Sequence, residues 1–301
     1  MELWIPATLF AAFMQNLRSA LQKHIKGKLS TGGAAYVRFC YAWPFAVVTL
    51  VAVSIVGGYP IPPINGTFLI YCSLGGIAQI LFTFLLVYLF SLRNFAVGTT
   101  YSKTEVMQVA ILGFILLGDT VTVTGVAAIG IGMVGVMALA VAQTAISWKN
   151  LITSLFERST LIGLLSGGFL GASVVLFRGA SIALGDGGVL PRASLTLAVA
   201  LVIQTLIMGI YLLLREPGQM RAVARHWRPG LSVGTAGFLG SAGWFIAFTL
   251  QNAAYVRAVG QVELVFTFIA SIFFFKERTK AMEFFGIALI LVSILILVLY
   301  G

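Results

Sequence analysis

The stretch NFAVGTTYSKTEVMQVAILGFILLGD, Asn94 to Asp119, sets Lys103 and Glu105 in the middle of an otherwise apolar run. About 20 mostly apolar residues suffice for a helix to cross a bilayer, so the run is long enough to span one. An ionisable side chain at that depth costs about 2.5–3.5 kcal/mol on insertion scales. Two of them need partners, a water-filled cavity, or both. The pattern returns as NAAYVRAVGQVELVFTFIASIFFFKE, Asn252 to Glu277. A shift of 158 residues lays Asn94 on Asn252, Glu105 on Glu263 and Asp119 on Glu277, so both copies carry a carboxylate at the same place.

Composition sets the class around this pair. Of 301 residues, 59% are hydrophobic and 9% charged, against about 25% charged in a soluble protein. The apolar runs are some 20 residues long with short polar breaks, a helical pattern rather than the period-two alternation of a barrel. The net charge of +10 lies mostly in short loops beside apolar runs, so it is an orientation signal and not one for nucleic acid. Cys40 and Cys72 fall inside apolar runs with no CxxC or Cys/His spacing, and read as small buried residues. The N-terminal MELWIPATLFAAFMQNL has Glu2 where a signal peptide carries a cation, and is read as the first span.

Ten spans follow, roughly 4–22, 34–56, 67–91, 95–117, 121–143, 160–183, 192–214, 230–250, 254–275 and 281–300. Gly57-Gly58 with Pro60, Gly185-Asp186-Gly187-Gly188 and Glu216-Pro217-Gly218 punctuate them. The halves 1–150 and 151–301 match at the same offset in Gly76/Gly234 and Leu92/Leu250, and Arg18 in NLRSA resembles Arg178 in LFRGAS. Five spans per half make the second copy enter from the opposite side. The expected fold is an all-α integral membrane protein of ten transmembrane helices in two inverted five-helix repeats. Such repeats place a substrate site near the midplane where the halves meet.

Loops after odd spans carry thirteen cations, from Lys23, Lys26 and Lys28 through Arg93, Lys149, Arg158, Arg215, Arg221, Arg225 and Arg228 to Lys276, Arg278 and Lys280. Loops after even spans carry Arg192 and, at a span start, Arg257. With ten spans this bias puts both termini outside the cytoplasm.

Each copy ends in an acidic loop followed by a Gly-containing helix, ILLGDTVTVTGVAAIGIGMVGVMAL and FFFKERTKAMEFFGIALILVSILIL. This resembles the EamA-type branch of the drug/metabolite transporter superfamily, whose two five-helix halves each end in an "LGE…G" pattern. The resemblance covers nearly the whole chain. It implies a ten-helix inverted-repeat basket in a bacterial inner membrane, moving a small metabolite by alternating access. Many relatives keep both termini in the cytoplasm, the reverse of what the charge count indicates here.

Glu105 and Glu263 are the first candidates for coupling or substrate contact, because a carboxyl in a low-dielectric site can hold and release protons or pair with an amine. The competing reading is an ion pair locking helices, Glu105 with Lys103 or an arginine. Lys103 and Glu105 are two apart, about 200° around a helix, which argues against a pair between them. Lys103 has Gln261 as its counterpart, so the two copies differ there; an unmatched cation suits a zwitterion or an anion. Tyr101 and Trp244 are aromatic cavity candidates that packing would equally explain. Arg18 and Arg178 could contact substrate or snorkel to the surface. Arg38 and Arg257, near span starts, are read as interface markers. Gln79, Gln108 and Gln204 are candidate helix–helix hydrogen bonds, and Gln79 is carried as a site candidate. Glycines recur every three residues at Gly237, Gly240 and Gly243 and every four at Gly163, Gly167 and Gly171, as stripes for close helix approach.

The function expected is secondary transport of a small polar or zwitterionic metabolite such as an amino acid, by export or exchange, with protons as a candidate coupling ion. Without a Walker motif, ATP cannot drive it directly. His24 and His226 lie in loops, and no metal-ligand cluster or His-paired nucleophile falls in a span. A non-enzyme without metal or cofactor is therefore expected. Alternatives are an exchanger of phosphorylated or other anionic metabolites, a lipid flippase on the same scaffold and, behind these, a membrane-embedded enzyme. Its partners would be the bilayer and a small solute. A monomer is compatible with all of these.

Overall fold

The computed structural model describes residues 2–25, 28–89, 92, 100–143, 156–273 and 280–300. Asn94, Glu277 and the loop cations Lys26, Arg93, Lys149, Lys276 and Arg278 lie outside the described residues. Among the described residues the chain forms helices α1 (Trp4–Ile25), α2 (Thr31–Cys40), α3 (Trp43–Ile55), α4 (Gly66–Leu89), α5 (Glu105–Leu117) and α6 (Val123–Gln143). They are followed by α7 (Arg158–Ala183), α8 (Val189–Arg215), α9 (Pro217–Arg225), α10 (Trp227–Leu250), α11 (Ala253–Gly260), α12 (Val262–Phe273) and α13 (Ala281–Tyr300). Among the described residues, seven segments are long and apolar enough to cross a membrane: α2 with α3, α4, α6, α7, α8, α10 and α13. Helix α1 has the length, but Gln15, Asn16 and Arg18 lower its apolarity.

The expected continuous spans 95–117 and 254–275 are both interrupted. Thr100–Ser102 is helical, Lys103 and Thr104 turn, and α5 starts at Glu105. The turn is of the tight i→i+3 kind, Lys103 N–H to Thr100 O and Thr104 N–H to Tyr101 O, each 3.1 Å. In the second copy, α11 ends at Gly260, Gln261 turns with its N–H on Ala258 O at 3.2 Å, and α12 follows. Lys103 and Gln261 are the matched positions at the 158-residue offset, so both copies break at the same place. Span 34–56 is also divided, at Tyr41–Ala42. There Pro44 opens α3 and cannot extend a helix through the preceding turn.

Contacts divide the chain into two compact units, Met1–Ile80 with Leu176–Leu250, and Leu81–Val175 with Gln251–Gly301. Each takes residues from both sequence halves. In the first unit the stripe Gly237, Gly240 and Gly243 lets α10 lie against α1, where a Cβ on Gly243 would fall 2.8 Å from Ala7 O. Gln204 Nε2 donates to Gln79 Oε1 at 2.7 Å between α8 and α4, the kind of interhelical bond worth about 0.6 kcal/mol in membranes.

In the second unit α6 and α13 cross backbone to backbone. A Cβ on Gly135 would meet Gly286 O at 2.7 Å, and one on Gly286 would meet Gly135 O at 2.8 Å. Nearby, Ser293 Oγ donates to Ala128 O at 2.7 Å. Helix α5 closes at Gly118, whose φ of 68° is cheap only for glycine, and the next N–H, of Asp119, returns to Gly113 O. This gives the LGD motif a local cause. Tyr255 in α11 accepts from Thr122 N–H at 2.9 Å, with its ring against Gly125.

The second glycine stripe receives the helix break. A Cβ on Gly167 would stand 2.8 Å from Ser102 O, at the residue just before the helix break. Gly167→Ala should therefore cost about 1–3 kcal/mol, since backbone on both sides must shift. The check is the melting temperature in detergent, with Gly130→Ala, which meets open space, as the unaffected control.

Candidate functional site

The two helix breaks lie together in the second unit, and their charges pair across copies. The Arg257 guanidinium, on the half-helix before the second break, donates to the Glu105 carboxylate just after the first. Both side chains are buried, 7% and 3% exposed. Lys103 Nζ, at the first break, stands 3.6 Å from Glu263 Oε1, just after the second. This second pair is longer and more exposed, with Lys103 39% and Glu263 12% exposed. Two cations and two carboxylates leave the cluster neutral, the condition for holding charge in a low-dielectric interior. Glu105 and Glu263 both sit in the first turn of a half-helix, where unpaired N–H groups and the helix dipole favour a carboxylate.

Beside the pairs is a narrow crevice, lined by Lys103, Thr104, Met107, Met133, Gln261 and Ser293 among others. Gln261 is 4% exposed, and neither atom of its amide has a hydrogen-bond partner among the described residues. Thr104 is tied down, its hydroxyl donating to Tyr101 O at 2.7 Å and accepting from Gln108 Nε2 at 2.9 Å. The pocket thus offers a mostly apolar wall, one amide and one ammonium.

Of the residues named from sequence, Glu105, Glu263, Lys103 and Gln261 meet at these breaks, and Tyr101 lies two residues before the first, its carbonyl accepting from Thr104. The others lie in the first unit with structural contacts. Arg178 Nη1 donates to Phe248 O at 2.8 Å, satisfying a carbonyl in the last turn of α10. Arg18 lays its stem on Gly237, Cδ 3.4 Å from where a Cβ would be. Trp244 Nε1 donates to Gln15 Oε1 at 3.1 Å, and its ring stacks on Phe248 at 5.7 Å. Gln79 is bonded to Gln204.

One expectation is corrected. Arg257 does not mark an interface; it is 6% exposed and pairs with Glu105. It leaves the loop count, so Arg192 alone stands against the thirteen. A signal for Arg257 was present in the sequence: it lies four residues before the position matching Lys103, so it shares a helix face with the second break.

Residues 161–299 match the model of the EamA-like transporter family. No curated protein matches the chain in sequence. One solved structure, described only as "Crystal structure of protein", superposes with a TM-score of 0.65 over 98% of this chain and 94% of its own, at 13% identity. The likeness is one of fold.

Proposed function

We propose that this chain, whose residues 161–299 match the EamA-like transporter family, is a multi-pass membrane transporter of the drug/metabolite type that moves a small zwitterion, such as an amino acid, by inserting it into the Lys103–Glu263 pair. The observation that carries this reading is the contrast between the two pairs. Glu105–Arg257 is closed and dry, while Lys103–Glu263 is 3.6 Å long, partly exposed and beside the pocket. A substrate carboxylate would take Lys103 and its ammonium Glu263. One loose pair is exchanged for two contacts, and the neutrality of the cluster is kept. An isolated cation or anion would pair with one member and leave the other without its counter-charge.

Glu105–Arg257 then serves as the clamp holding the two breaks in register, and Gln261 contributes the amide that orients the bound solute. Protonation of Glu263 would release Lys103 as a substrate ammonium does, which is where a proton gradient could drive the cycle; solute exchange would use the same step. The 13 residues of α5 rise about 20 Å, so a helix ending at the membrane surface places its break inside a hydrocarbon core of about 30 Å.

We read the two halves as inverted repeats forming ten spans. Supporting this, Gly135 corresponds to Ser293 and Ala128 to Gly286 at the 158-residue offset. The contacts Gly135–Gly286 and Ala128–Ser293 therefore interchange when the copies do. On the charge count the basic loops face the cytoplasm of a bacterial inner membrane, with both termini outside.

The test is flux into proteoliposomes of radiolabelled amino acids, organic cations and phosphorylated metabolites. Amino-acid uptake should fall at least tenfold with Glu263→Gln. Anion flux lost in Lys103→Met but kept in Glu263→Gln would replace this reading with an anion exchanger. Transbilayer movement of labelled lipid without solute flux would replace it with a flippase.

A further inference from the structure

The nine-residue helix α9, PGQMRAVAR, joins α8 to α10 and has two distinct faces. Its inner face is anchored. Gln219 Oε1 accepts from Ser30 N–H at 3.0 Å, Val223 is buried, and Val223 O accepts from Tyr41 O–H at 3.0 Å. Just before α9, the Glu216 carboxylate accepts from the Ser30 hydroxyl. Its outer face carries Arg221 and Arg225, four apart and so one turn above each other, both exposed. Arg215 at the end of α8 and Arg228 in the first turn of α10 are exposed on the flanks. None of these four arginines has an acidic partner among the described residues.

Apolar groups stand beside this charge. Trp227 is 52% exposed with the Arg228 guanidinium 5.4 Å over its ring, and Leu214 is 76% exposed. Tryptophan with arginine and an exposed leucine at the end of spanning helices is the composition of the headgroup boundary. An amphipathic helix with arginine on its polar face lies in that plane.

We propose that α9 with Arg228 and Trp227 is a binding surface for the headgroups of anionic phospholipids. The three arginines Arg221, Arg225 and Arg228 would receive phosphate groups while Trp227 and Leu214 rest against the acyl boundary. The inner-face hydrogen bonds to Ser30 and Tyr41 hold the helix flat, so its cations need not be ordered at the moment of binding. Each basic residue near an anionic surface contributes about fivefold in affinity, so three are expected to discriminate strongly. This inference does not depend on what the protein transports.

The test uses the full chain in mild detergent, titrated with dioleoyl phosphatidylglycerol or dioleoyl phosphatidylcholine and read by native mass spectrometry. The anionic lipid should bind at least tenfold more tightly. Arg221→Gln/Arg225→Gln/Arg228→Gln should reduce the preference below threefold, and the corresponding triple lysine variant should keep most of it. Equal binding of the two lipids by the native chain, or an unchanged preference in the glutamine variant, would overturn the proposal. Should the glutamine variant fail to fold, 1 M salt on the native chain decides. Screening should abolish the preference there, and a preference that survives overturns the proposal.

Discussion

Arg257→Leu should lower the unfolding midpoint in detergent by on the order of 10 °C. Removing one partner of a buried ion pair costs about 3–5 kcal/mol, because the survivor is left charged and unsolvated. For a chain of this size each kcal/mol corresponds to about 2–4 °C. Here the survivor would be the Glu105 carboxylate, 2% exposed. The double variant Glu105→Leu/Arg257→Leu should recover at least half of the loss, since a well-packed apolar replacement removes the stranded charge. Cys72, fully buried, supplies the readout through a thiol-reactive dye that labels it only on unfolding. If the single and double variants melt together, the cost lies in lost packing of the arginine stem and not in the unpaired charge.

That pair also shows what the sequence could and could not reveal. Apolar run length located the seven described segments that are long and apolar enough to cross a membrane, because lipid allows few alternatives to a satisfied backbone. The repeat found Glu105 and Glu263 by position alone. The interruptions were missed because apolar length is blind to local geometry. TTYSKTE and AVGQVE carry polar and glycine residues at matched positions, but a polar group in a span signals a ligand or a packing bond as readily as a break. Without the break, Lys103 and Glu105 pointed apart and Arg257 sat near a span start. With it, each charge meets a partner from the other copy. Side-chain partners such as Ser293 on Ala128 or Tyr255 on Thr122 depend on helix crossings, which one sequence does not encode visibly.

Reversing the second pair gives the sharpest functional result. Lys103→Glu and Glu263→Lys should each reduce amino-acid flux by more than tenfold, since like charges would then face each other at 3.6 Å. Stability should change much less than for Arg257→Leu. A pair with a 39% exposed member is worth about 1 kcal/mol or less. The double swap Lys103→Glu/Glu263→Lys restores one cation and one carboxylate at the site. A zwitterion can use them with its two ends exchanged, so flux should return to a measurable fraction of the native rate and exceed either single variant at least threefold. A carrier of anions needs the cation at position 103 itself, and the swap would stay as inactive as Lys103→Glu. Measuring the three variants with one radiolabelled amino acid in the same liposomes separates an opening ion pair from a single binding cation. Melting temperatures taken alongside show that all three are folded.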